Sequence, residues 1–270
     1  MTLISKNQIL LYVYVFLLGL ISSFSLPPYD IFYLNFISYP AFLWILLICP
    51  NDKVKSFNIG WTFGFGYFIS SLYWITNSLT FEDNFKPLIP FALILIPLFL
   101  GLFYGLSTLT FSFLNPKKNF LSILIFTTSL SIIEYIRSFI LGGFPWNLIA
   151  FSFVNNIEFI QILSLTGTYA FNSLVILLFL LPIILFFDYK KKIKINILMF
   201  SLIIIFTNYF WGKSNLTQYE LNEEKNLGFT IKIISPKINL VRYFQNENPR
   251  EFLSELINIS QPNPSNKTIF

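Results

Sequence analysis

The chain has 270 residues, of which 55% are hydrophobic and only 11% charged, with a net charge of +5. Soluble domains carry about 25% charged residues, and the mean hydropathy here is +0.66. Long apolar runs with short polar breaks therefore read as a polytopic membrane protein. The sequence contains no histidine, which excludes a Ser-His-Asp triad and histidine metal sites within it. Its single cysteine, Cys49, excludes an internal disulfide or a cysteine metal cluster. The lysines cluster in loops, a distribution that sets membrane topology and gives no footprint for nucleic acid.

Seven apolar stretches follow in order: 9–26, 31–49, 57–79, 88–114, 120–141, 159–187 and 195–211. Each is near the ~20 residues that cross a hydrocarbon core, or long enough to do so at a tilt. The first lacks a small-x-small cleavage site and is followed by more spans, so it is not a removable leader. With the N-terminus inside, the inner segments hold Lys6, Lys53, Lys55, Lys117, Lys118, Lys190, Lys191, Lys192 and Lys194. The outer segments offer Lys86 and Arg137, beside Asp30, Glu82, Asp83 and Glu158. Nine basic residues against two predict a cytoplasmic N-terminus and an external C-terminal segment.

Gly60 and Gly64 have small-x-x-x-small spacing, as have Gly101 and Gly105, which predicts close helix contacts. No strand precedes these glycines, so they form no phosphate loop. Cys49 has no histidine beside it and reads as an inert thiol. The run Asp188 to Lys192 is explained by topology, although its lysines could also meet anionic lipid.

Glu134 and Arg137 lie three apart and share a helix face near the end of the fifth stretch. Ionisable groups within a span must pair or face a polar cavity. Two readings stand: a mutual ion pair with Arg137 reaching outward, or an Arg137 that meets a lipid phosphate or supports a loop. Gly142, Gly143 and Pro145 then break the chain around Phe144 and Trp146, a stretch too apolar for a free loop. It reads as a re-entrant or interfacial piece with Trp146 at headgroup depth. Glu134, Arg137, Phe144, Pro145 and Trp146 are the candidate substrate- or lipid-contacting residues of this end.

Beyond the last span the composition turns polar, and residues 212–228 read as a linker. Residues 229–235 read as a strand. Asn248, Pro249 and Glu251 form a helix start, with Asn as the cap and Pro at the first helical position. Phe252, Leu253, Leu256 and Ile257 share one face of that helix. Residues 268–270 look like the opening of a second strand. The fold class expected is an all-α polytopic bundle followed by the start of an α/β domain. About fifty residues of such a domain cannot bury a core, so the sequence reads as the front part of a longer protein.

Several motifs, in this order and spacing, resemble the apolipoprotein N-acyltransferase family. They are FSLPPYD at 24–30, GWTFGFGYF at 60–68 with Tyr73, Trp74 and Ile75, and Glu134 and Arg137 followed by GFPW at 143–146. QILSLTGTY at 161–169 and IKIISPKIN at 231–239 extend the likeness along the chain. Phe244 falls where many members have a functionally important Trp and is a further candidate, while Ser235 stands where Gln is usual. The resemblance implies a periplasmic nitrilase-like domain over residues 229–270 and onward. It implies a bacterial inner-membrane enzyme that moves an acyl chain from a phospholipid to the α-amine of the lipidated N-terminal cysteine of apolipoproteins. It implies a Glu-Lys-Cys triad placed after Phe270, no cofactor and no metal, so no catalytic residue lies in these 270. The rival readings are a non-catalytic membrane scaffold, a transporter-like bundle, or another lipid-linked transferase of the nitrilase superfamily.

Overall fold

A computed structural model describes residues 7–49, 52–221, 233 and 248–260. The described residues are helical, with no strand among them. The long helices are α1 (Gln8–Ser23), α2 (Asn35–Ile48), α3 (Lys53–Ser71), α4 (Ile89–Phe113), α5 (Phe120–Arg137), α6 (Leu163–Leu180), α7 (Lys191–Leu221) and α8 (Pro249–Ser260). Four helical stretches are long and apolar enough to cross a membrane: Asp83–Phe113, Phe120–Arg137, Leu163–Phe186 and Lys191–Tyr219. Gln8–Ser23 and Phe32–Ile48 are shorter apolar helices. The described residues form an all-α membrane bundle.

Local chemistry explains the helix boundaries. Asn7 caps α1 by accepting from the Ile9 and Leu10 amides, and Asp52 caps α3 through Val54 and Lys55. That cap starts α3 at Lys53, ahead of the expected apolar stretch. The helix stops at Ser71, and the chain tightens into a 3₁₀ stretch over Tyr73–Thr80. There Thr76, Ser78 and Thr80 each donate to the carbonyl three residues back, which competes with α-helical pairing. At the far end α7 runs on to Leu221, through the first part of the segment read as a linker. Its polar residues there are adequate helix formers, and Gly212 sits against the Glu158 carbonyl instead of breaking the helix. The expected cap of α8 is present: Arg250 N donates to Asn248 Oδ1 at 3.1 Å. The expected strands at 229–235 and 268–270, the rest of the linker, Lys6 and Phe244 lie outside the described residues, apart from the lone Ile233.

Helix α3 is the hub and packs most extensively on α4 and α1. A Cβ on Gly64 would lie 2.9 Å from the Gly101 Cα, and one on Gly60 would meet Thr108 and the Tyr104 carbonyl. The two small-residue faces predicted from sequence therefore meet each other. The α1–α3 contact is equally close and was not foreseen: Gly19 abuts the Phe63 carbonyl and Gly66 the Phe16 carbonyl. Around these contacts aromatic rings fill the centre. Phe42 stacks on Phe63 at 4.0 Å, Tyr39, Tyr104 and Phe126 surround the pair at 5.6–5.7 Å, and Phe179 stacks 6.4 Å from Tyr39. Ring pairs of this kind add about 0.5–1.5 kcal/mol each beyond their buried area.

Candidate functional site

At the end of α5 the chain does not emerge into a loop but doubles back into the bundle. Gly142 and Gly143 take positive φ values of 89° and 82°, and Asn147 takes 56°. Residues 147–150 are buried, while Pro145 and Trp146 are exposed. The stretch read from sequence as an interfacial or re-entrant piece thus folds against the bundle, and polar side chains on three helices hold it. Arg137 Nη2 on α5 donates to the Trp146 carbonyl at 3.0 Å. The Tyr67 hydroxyl on α3 donates to the Asn147 carbonyl at 3.1 Å. Asn172 Oδ1 on α6 accepts from the Ala150 amide at 3.0 Å. Buried irregular backbone requires such partners, because no solvent is there to replace them.

Beneath it lies a connected polar cluster. Asn172 Nδ2 donates to Glu134 Oε2 at 2.5 Å, and the Tyr104 hydroxyl donates to Oε1 at 3.4 Å. The Tyr39 and Tyr104 hydroxyls are 3.2 Å apart. Glu134, Asn172, Tyr39, Tyr67 and Tyr104 are all buried. One chain of contacts thus runs from the α2–α4 core through Glu134 and Asn172 to the Ala150 amide.

Of the two readings of Glu134 and Arg137, the ion pair does not form. Lys86 and Asp83 do pair, at 2.6 Å, whereas Glu134 and Arg137 make no contact within 4 Å. Glu134 faces inward to Asn172 and Tyr104. Arg137 does not reach outward; it is only 1% exposed and its guanidinium lies 5.1 Å from the Phe68 ring and 5.8 Å from that of Phe144. Sharing a helix face put the two residues close, but their side chains are committed in different directions. Phe144 packs half-buried on Trp146, and Trp146 also meets Trp74 at 5.7 Å. The two Trp rings form an aromatic rim at this end of the bundle.

Sequence reasoning found Arg137 and Glu134 but missed Asn172, Tyr67, Tyr104 and Tyr39. An amide alone in the apolar run of α6 was the available signal for Asn172. Among the described residues no group of His, Cys, Asp or Glu could hold a metal ion. Cys49 is free and far in sequence from this cluster, at the C-cap of α2.

The turn also carries a direct test of its geometry. A Cβ on Gly143 would run into the Ser138 carbonyl, whereas one on Gly142 would meet nothing within 4 Å. Both positions are left-handed, so Gly142→Ala carries backbone strain alone and Gly143→Ala adds a clash. Gly143→Ala is expected to destabilise the protein by about 1–3 kcal/mol, and Gly142→Ala by less. Thermal unfolding in detergent checks the order; equal losses would count against the tight turn.

The fold and this site together define an α-helical membrane protein with a buried polar core beneath a re-entrant aromatic segment. Residues 18–181 match the family described as "Apolipoprotein N-acyltransferase N-terminal domain", and the chain belongs to that family. Proteins named apolipoprotein N-acyltransferase are similar along more of the chain. That of Brucella melitensis is 27% identical over 259 residues, covering 93% of this chain and 48% of its own. That of Agrobacterium fabrum is 27% identical over 252 residues, covering 90% and 46%. That of Sinorhizobium fredii is 33% identical over 176 residues, covering 62% and 33%. The chain thus spans about half the length of the curated relatives it matches along most of its own.

Proposed function

We propose that this bundle is the membrane part of an apolipoprotein N-acyltransferase. Membership of the family, on a match that includes the re-entrant segment, is the observation that carries the reading. The reaction takes an acyl chain from a membrane phospholipid and joins it to the α-amine of the lipidated N-terminal cysteine of an apolipoprotein. A cysteine thiolate attacks the ester carbonyl, forming a thioester and releasing the lysophospholipid. The amine then attacks the thioester, forming the amide and returning the thiol. A glutamate takes the thiol proton and a lysine stabilises the oxyanion. These three groups belong to the nitrilase-like domain that opens at about residue 229, in residues beyond Phe270. The 270 residues alone are then inactive.

In this reading helices α1 to α7 are seven spans of the bacterial inner membrane. Lys53 lies over Phe113 and Lys118 over Trp44, which gathers cations at the end remote from Trp146. That end faces the cytoplasm by the positive-inside rule, and the re-entrant segment with Phe144, Pro145 and Trp146 faces the periplasm. Both substrates are anchored in the outer leaflet, so the aromatic rim of Trp74 and Trp146 stands where they would approach. Phe244, which stands where many members of the family have a Trp, is a further candidate for substrate contact.

Complementation tests the function. A strain depleted of its own acyltransferase receives either codons 1–270 or the gene extended beyond codon 270. N-acylated lipoprotein should return with the extended gene and not with the short one. Failure of the extended gene would sink the activity and favour a non-catalytic scaffold. Restoration by codons 1–270 would overturn the placement of the triad.

A further inference from the structure

Arg137 uses one nitrogen on the Trp146 carbonyl, while its Nε and Nη1 groups are buried without a hydrogen-bond partner. Buried donors in native proteins are almost always paired, and the nearest acid on the same helix face, Glu134, is held by Asn172 and Tyr104. Arg137 also lines a cavity of about 320 Å³ between α4 and the end of α5. Apart from Arg137 the walls are apolar side chains and Gly143; Leu95, Phe99 and Phe103 come from α4, and Ile140 and Phe144 from the other side. Leu95 and Phe99 are exposed on the outer surface of α4, so the cavity opens sideways from the bundle.

A cation with spare donors at the head of an apolar slot is complementary to an amphiphile carrying an oxyanion. We propose that the cavity between α4 and the α5 end binds a phosphodiester lipid. Its phosphate oxygens accept from Arg137, and the upper part of an acyl chain lies along Leu95, Phe99 and Phe103. A free anion would match the guanidinium but not the apolar walls; a neutral diacylglycerol would match the walls but not the guanidinium. The inference rests on the reading of α4 and α5 as membrane spans. It does not require acyl transfer, nor that the bound lipid be the acyl donor.

The test uses the 270-residue protein in detergent, incubated with a phosphatidylglycerol that carries a photoactivatable group on its acyl chain. Labelled peptides are read by mass spectrometry. Label is expected on peptides of α4 and residues 138–146. Arg137→Gln should lower it at least about fivefold, Arg137→Lys less, and Ile96→Trp, which fills the cavity, comparably to Arg137→Gln. Thermal unfolding of each variant separates lost binding from lost fold; should Arg137→Gln not fold, Ile96→Trp and Arg137→Lys decide. Unlabelled phosphatidylglycerol should compete, while diacylglycerol and inorganic phosphate should not. Competition by phosphate at similar concentration would make the site one for free anions. Equal competition by diacylglycerol, or labelling unchanged in Ile96→Trp, would overturn the proposal. Labelling that persists while the extended gene fails to complement would sink the enzymatic reading and leave this site standing.

Discussion

Gly66→Leu is expected to leave little folded protein in the membrane. A Cβ at this position would run into the carbonyl of Phe16 and lie 3.2 Å from the Leu20 amide. Both are backbone atoms of α1, so no side chain can rotate away, and the helices must separate. Overpacking of a core costs about 1–3 kcal/mol, and more where the backbone has to move. Gly19→Leu should do the same from the other side, because Gly19 abuts Phe63 and Tyr67 of α3. Since both variants open one contact, the double variant should lose much less than the sum of the two. Size-exclusion profiles and melting temperatures of detergent-extracted protein measure this. A Gly66→Leu protein that melts like the parent would refute the close α1–α3 approach.

The second large effect is expected at Glu134. Glu134→Ala leaves the Asn172 Nδ2 group without its acceptor and the Tyr104 hydroxyl with Tyr39 alone. Leaving a buried polar group without its hydrogen-bond partner costs about 1–3 kcal/mol. Glu134→Gln keeps a carbonyl acceptor and should recover much of that loss. Because Asn172 also accepts from Ala150, the damage should spread to the re-entrant segment, seen as faster proteolysis around residues 142–153. Ala and Gln variants of equal stability would show that the contacts to Glu134 contribute nothing.

The cluster also bears on the transporter-like alternative. That reading needs polar groups deep in several spans, and Tyr39, Tyr67, Tyr104, Glu134 and Asn172 meet the condition. Yet their hydrogen bonds point to each other and to the backbone of residues 147–150. Such an arrangement fixes a segment in place.

What was legible in the sequence was whatever one helix declares about itself. The Gly60/Gly64 and Gly101/Gly105 faces, the Asn248 cap and the break at Gly142 and Gly143 each follow from a few adjacent residues. What was not legible needed a partner from elsewhere in the chain. Gly19 and Ser23 have small-x-x-x-small spacing, but which helix Gly19 meets appears only when α3 lies against α1. Tyr67, Tyr104 and Asn172 look like single polar residues in apolar runs until the bundle brings them to Glu134 and to the re-entrant backbone. The Glu134–Arg137 spacing suggested a mutual pair because proximity along one helix is visible and competing partners on α6 are not. The extension of α7 to Leu221 was hidden for a different reason: its polar composition suits a linker and a solvated helix alike.

The wiring of Glu134 has a consequence for biogenesis. Its hydroxyl partner, Tyr104, is synthesised before it, but its closest partner, Asn172, follows 38 residues later. Of the four long apolar stretches, α5 has the lowest hydropathy, 1.5, and Glu134 and Arg137 near its end add to the cost of insertion, by less than the ~2.5–3.5 kcal/mol of a charge at a helix centre. While it waits for Asn172, α5 is therefore a reluctant insert. It should enter the bilayer stably only as a hairpin with α6, so that the re-entrant segment is folded in by the same event. A cysteine placed at the centre of α5 should react with a water-soluble maleimide in chains stalled before α6 and be protected in chains stalled after it.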